Sequence, residues 1–189
     1  MRTEWIWLAA LVGAGVFAIL IYNRLVRLRN LVREAWSGID VQLKRRTDLI
    51  PNLVATVKAY AAHERRLLED IVERRNASLA AATVPTQAQA ERALQGTLHR
   101  LLAVAEAYPE LKSDGNFRAL QEELGTIEDH LQMARRYYNG TVRDLNIAVQ
   151  SFPQVLLARP LGFREEPFFE LDDPAEGNVP VVAIDGGRA

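Results

Sequence analysis

Eighteen consecutive positions, Trp5 to Tyr22, carry no charge, and behind them apolar residues recur every three or four positions. Four such stretches follow one another. The first runs through Leu25, Leu28, Val32, Ala35, Ile39 and Leu43, the second through Ile50, Leu53, Val57, Tyr60, Leu67, Leu68 and Ile71. The third holds Leu94, Leu98, Leu101, Leu102 and Ala105. The fourth holds Phe117, Leu120, Leu124, Ile127, Leu131, Ala134, Tyr138, Leu145 and Ala148. That spacing marks helices with one packed face and one wet face. No window before the C-terminal tail alternates with period two, so the pattern predicts an all-α chain.

The uncharged run is long enough to cross a bilayer, because an 18-residue helix rises roughly 27 Å. Trp5, Trp7 and Tyr22 stand at its ends, where amphipathic rings favour the membrane–water interface. A cleaved signal peptide should be shorter and end in a small-x-small site. This run ends in Ile21-Tyr22-Asn23, which predicts a retained anchor. Arg24, Arg27, Arg29 and Arg33 follow it, whereas only Arg2, offset by Glu4, precedes it. Basic flanks stay on the cytoplasmic side, so the expectation is a single-pass protein of the cell (inner) membrane. Its N-terminus would lie outside and its C-terminal domain in the cytoplasm. The opposite topology is the alternative. The expected division is residues 1–22 as anchor, 23–152 as a helical bundle, and 153–189 as a C-terminal segment. That last segment should be packed to about residue 170 and then extended or disordered.

Helix punctuation leaves one junction open. Asp48 suits an N-cap with Pro51 in the first turn, and Lys44, Arg45 and Arg46 suit a helix C-terminus. The apolar phase nevertheless continues through Leu43, Thr47, Ile50 and Val57, so Pro51 could merely kink one long helix. Farther on, Thr86 with Gln89 has capping-box spacing, Tyr108-Pro109 stops the third helix, and Asp114 or Asn116 caps the fourth.

Composition narrows the chemistry. A formal net charge of −1 gives no global field for nucleic acid, and zero cysteines remove disulfides, thiolate metal sites and thiol nucleophiles. A di-iron bundle needs Glu-x-x-His on two helices. Tyr60, Gly96 and Ile127 stand three before His63, His99 and His130, so that centre is excluded. His63-Glu64 is followed by Leu67 where a zincin needs its second His, and His63 reads instead as a partly buried helix histidine. No phosphate loop or nucleophile elbow occurs. No cofactor and no catalytic residue is expected.

Several strings carry a family likeness. They are Tyr22-Asn23 with Leu25-Val26, Ala35-Trp36-Ser37, Ile39-Asp40-Val41-Gln42-Leu43-Lys44-Arg45-Arg46, and Asp48-Leu49-Ile50-Pro51-Asn52-Leu53-Val54. Val57-Lys58, Tyr60-Ala61, His63-Glu64, Ala134-Arg135, Tyr138-Asn139, Asn146 and Phe152-Pro153 complete the set. With these the chain resembles the LemA family of bacterial membrane proteins from the anchor to about Phe169. The resemblance implies one N-terminal membrane helix and an up-and-down, bromodomain-like four-helix bundle. It thereby favours a turn at Asp48, and it implies no activity.

Polar residues within those strings form a candidate contact surface: Asp40, Lys44, Asp48, Asn52 and Lys58, together with Arg135, Asn139 and Asn146. The competing reading is an internal hydrogen-bonded network that fixes helix register. The run Arg24, Arg27, Arg29 can grip anionic lipid. Ala10, Ala14 and Ala18 share a face of the anchor with small-xxx-small spacing, a candidate self-association surface. The acidic tail adds a β-prone strip with Val179, Val181 and Ile184, suited to strand addition.

The sequence thus predicts a non-catalytic, membrane-anchored scaffold or adaptor. Its expected partners are membrane lipid and membrane or envelope proteins, with a homo-oligomer possible and nucleic acid excluded. The alternative is a self-assembling, lipid-active protein that remodels or protects the bilayer.

Overall fold

The apolar anchor, the first amphipathic stripe and the beginning of the second belong to one helix. In the computed structural model, which describes residues 2–170, α1 runs unbroken from Arg2 to Tyr60. Its 59 residues make a rod of about 88 Å. The turn expected at Asp48 is absent: Pro51 lies inside the helix. Lys44, Arg45 and Arg46 therefore do not crowd a helix end. The chain reverses at residues 61–64 instead, and the second stripe is split between α1 and α2 (Arg65–Ala80). Then follow α3 (Val84–Ala105), the short α4 (Pro109–Ser113), α5 (Gly115–Gln150) and α6 (Val155–Ala158). No strand occurs among the described residues.

A proline inside a helix removes one N–H and leaves the carbonyl four residues earlier without its partner. Here that carbonyl belongs to the buried Thr47, and Arg75 of α2 donates its Nε–H to it at 2.7 Å. The ring of Pro51 itself faces solvent. The helix survives the proline because a neighbouring element supplies the missing donor.

The reversal at 61–64 contains neither Gly nor Pro. Ala61 is fully buried there, its small side chain admitting close approach of the turning chain. Tyr108 donates its hydroxyl to Glu64 at 3.1 Å, and Tyr60 donates to Asp114 at 3.0 Å. His63 stands exposed in this turn, not half-buried on a helix as expected. The capping box of α3 is Thr83 with Thr86 rather than Thr86 with Gln89: each side-chain oxygen accepts from the other's backbone N–H, at 3.3 and 3.0 Å. Pro85 sits in the first turn of α3, and Pro109 opens α4. Asp114 caps α5 by accepting the Phe117 N–H at 2.8 Å.

The four long helices run up, down, up and down, with α1 and α5 forming the principal pair and α2–α3 a shorter hairpin beside its upper part. Three contacts fix the α1–α5 register: Tyr60 with Asp114, Arg46 with Glu128, and Trp36 edge-on to Tyr138 at 5.3 Å between ring centroids. From each contact to the next both helices advance by the same number of residues, so one antiparallel register holds throughout. Continued downward to the last residue of α5, it sets Gln150 level with Arg24.

Two hydrophobic cores result. The upper one gathers Ile50, Leu53, Val57, Ile71, Leu94, Leu101, Leu111 and Phe117. The lower one gathers Leu25, Ile39, Leu43, Leu131, Tyr138, Leu145, Phe163 and Phe169. Each large aliphatic side chain removed from water contributes about 1.5–3 kcal/mol. Below the level of Arg46 the short hairpin ends, and the chain after α6 takes its place against α1 and α5, with Phe169 fully buried. The segment Trp5–Tyr22 lies outside both cores apart from Ile21, and its most apolar window is only 6% buried.

Candidate functional site

Three polar constructions stand out, and they differ in purpose. The first is buried between the two cores. Arg46, fully enclosed, pairs with the equally enclosed Glu91 of α3 and with the half-buried Glu128 of α5. Glu91 also accepts from the Ser78 hydroxyl of α2 and from the Gln87 amide, the latter at 2.7 Å. All four long helices thus meet at one charge cluster. Removing two charges from water costs several kcal/mol per ion unless their partners are in place. The cluster therefore selects the single vertical alignment in which all of them meet, which is a register device rather than a reaction centre.

This cluster was missed in the candidate contact set although its signal is present in the sequence. Arg46 falls on the apolar stripe between Leu43 and Ile50, and Glu91 falls on the stripe between Ala88 and Leu94. A charge in phase with an apolar stripe on two helices predicts a buried pair.

The second construction clasps the C-terminal segment. Asn146 donates its amide N–H to the Glu166 carbonyl at 2.9 Å and accepts the Glu166 N–H at 2.9 Å. Asn139 repeats the pattern on Phe169, donating at 3.1 Å and accepting at 2.9 Å. Two helical turns separate the asparagines, about 10.5 Å. Three extended residues separate their partners, about 10 Å, so the spacings match. Tyr138 adds a hydroxyl bond to the Pro167 carbonyl at 3.0 Å, and its phenol is pushed up to about 12 by burial and by the nearby Glu166. Trp36 closes the arrangement edge-on to the Phe169 ring, 5.5 Å between centroids.

The third is open to solvent. Asp40, Lys44, Asp48 and Asn52 follow one another at four-residue steps along α1, all exposed, with Lys44 and Asp48 paired at 3.5 Å. Lys58 lies farther along, on the rim of a cleft of about 510 Å³ between the end of α1 and α2, whose apolar wall includes Val54, Leu68 and Val72. Beside Asp48 a smaller depression, about 410 Å³, reaches α5 at Glu123, Thr126 and His130. Asn139 and Asn146 do not join this surface, because both amides are engaged by the C-terminal segment, and Arg135 is half-buried on α5. On the hairpin, burial works to raise the Asp70 carboxyl, but Arg74, Thr97 and Arg100 outweigh it and hold the group below its usual range.

On the anchor, Ala10 and Ala14 are exposed and Ala18 is half-buried, while Trp5, Trp7 and Tyr22 are exposed. Arg24 and Arg27 are exposed where the helix leaves the apolar run, and Arg29 turns onto the Phe163 ring at 4.8 Å. Val179, Val181 and Ile184 lie outside the described residues. Among the described residues no group of three His, Asp or Glu side chains is placed to hold a metal ion.

The chain is 25% identical over 187 residues to the magnetosome protein MamQ of Magnetospirillum gryphiswaldense, covering 85% of this chain and 68% of that protein. It is 26% identical, with the same shares covered, to magnetosome proteins MamQ 1 and MamQ 2 of Paramagnetospirillum magneticum. The model of the LemA family matches residues 35–183. With its apolar helix exposed and its bundle built on the continuation of that helix, this membrane protein belongs to the LemA family.

Proposed function

We propose that this protein is a membrane-anchored helical scaffold, without a catalytic centre, that binds other proteins at the cell membrane. The observation that carries the reading is the unbroken α1, which makes the anchor and the exposed stripe Asp40–Lys44–Asp48–Asn52 parts of one rigid rod. A protein docking on that stripe, or in the cleft beside Lys58, is held at a fixed height above the bilayer. The polar clusters serve packing rather than reaction: Arg46 fixes register, and Asn139 and Asn146 hold backbone. The basic residues Arg24 and Arg27 after the anchor favour a cytoplasmic domain. Self-association through Ala10, Ala14 and Ala18 would multiply such sites.

A photo-crosslinking residue placed at Asp48 or Lys58 of the full-length protein in cells tests the reading. Discrete adducts to the same proteins from both positions, absent when the probe stands at the exposed Gln132, are expected. Adducts to lipid alone would favour the bilayer-remodelling alternative, and an absence of protein adducts from both positions would end the scaffold reading.

A further inference from the structure

The stretch Ser151–Arg164 reverses the chain below α5 and exposes large apolar side chains where a soluble surface has no use for them. Phe152 is 79% exposed, Leu156 63% and Leu161 48%. Exposed apolar residues scattered singly need no explanation, but these share one short reversal. The reversal is fastened to the foot of α1. Ala158 and Phe163 belong to the same core as Ile21 and Leu25, Phe163 meets the Tyr22 ring edge-on at 5.9 Å, and Arg29 covers its face. The α1–α5 register sets Gln150, the last residue of α5, level with Arg24, two residues past the end of the apolar run, and Phe152 follows just beyond it. Three outward apolar side chains therefore lie where the anchor enters the bilayer.

The charges point the same way. Ser151–Arg164 contains no Asp or Glu, and its two charged residues, Arg159 and Arg164, are both exposed. Arg24 and Arg27 stand exposed on the stretch of α1 between Tyr22 and Arg29, the two residues that meet Phe163. Apolar side chains bordered by cations, with no acid among them, match the boundary between acyl chains and anionic headgroups.

We propose that Phe152, Leu156 and Leu161 form a second membrane contact, seated in the same leaflet that α1 enters. The occupant is lipid. A single helix leaves a domain free to rotate about the anchor axis and to tilt. A second contact beside the first opposes that tilt, so the surfaces higher on the bundle keep a fixed inclination to the bilayer. The inference stands independently of what binds those surfaces.

The test uses the full-length wild-type chain in vesicles of equal parts phosphatidylcholine and phosphatidylglycerol. They are doped with a phosphatidylcholine bearing a diazirine on its acyl chain near the carbonyl. After illumination and digestion, adducts are expected in the anchor peptide, as the internal control, and in the peptide containing Phe152 to Leu161. Adducts confined to the anchor would overturn the proposal. A second reading uses spin labels at Phe152→Cys, Leu156→Cys and Leu161→Cys, introduced singly into a chain with no native cysteine. The exposed Met133→Cys, higher on α5, serves as the aqueous reference. The ratio of oxygen to nickel-chelate accessibility should exceed that at Met133→Cys by at least about threefold, as for side chains below the headgroups. Equal ratios at all four positions would reject the seat.

Discussion

Arg75 of α2 donates its Nε–H at 2.7 Å to the carbonyl of Thr47, the group that Pro51 deprives of its helical partner. One side chain thus allows a proline to sit in the middle of the helix that joins anchor and bundle. Replacing Arg75 by Met strands a buried carbonyl, and loss of a hydrogen bond to a charged group costs about 1.5–3 kcal/mol. Pro51→Ala restores a donor within the helix, so the double variant should recover more than half of that loss. Thermal unfolding of the detergent-solubilised full-length protein, followed by circular dichroism, measures both.

Arg46→Met should be the more damaging change, because it leaves Glu91 buried and unpaired. Breaking one side of such a pair costs about 3–5 kcal/mol. Arg46→Met combined with Glu91→Leu should be more stable than Arg46→Met alone, since the second change removes the stranded charge. The same melting experiment decides it, and equal midpoints for the single and double variants would contradict a buried pair.

The clasp by Asn139 and Asn146 predicts a local rather than a global response. Asn146→Ala removes two hydrogen bonds to Glu166, at about 1 kcal/mol each net, so opening of that segment should rise roughly 30-fold. Hydrogen exchange should accelerate at residues 164–170 and stay unchanged in the upper core. Asn146→Asp keeps the acceptor and loses the donor, and should fall between wild type and Asn146→Ala.

Acid should loosen the start of α5. The Phe117 N–H does most to hold the Asp114 carboxyl below its ordinary value; burial opposes it, and the Tyr60 hydroxyl, the Asn116 N–H and Arg118 tip the balance downward. A depressed carboxyl contributes stability that is present above the unfolded-state pKa and is lost as pH falls through the folded one. The Phe117 amide resonance should accordingly titrate at a pH below the usual aspartate range. Asp114→Asn, which keeps an acceptor at the cap, should abolish that inflection.

Much of this architecture is local and therefore readable from the chain. The all-α class, the apolar anchor, the buried stripe positions and the Asp114 cap each follow from spacing within a turn or two of helix. The breaks between helices do not. Pro51 looks like a boundary, and it ceases to be one because Arg75, far away in sequence, replaces the lost donor. Residues 61–64 look like continuous helix, yet the chain turns there, with Ala61 buried and Tyr60 and Tyr108 bonded to carboxylates across the fold. Asn139 and Asn146 were identifiable as polar residues sharing a face, whereas the backbone they hold at Glu166 and Phe169 was not. A helix face is fixed by residues three and four apart. Where a helix ends, and what a buried polar group binds, depends on partners that only packing brings within hydrogen-bonding reach.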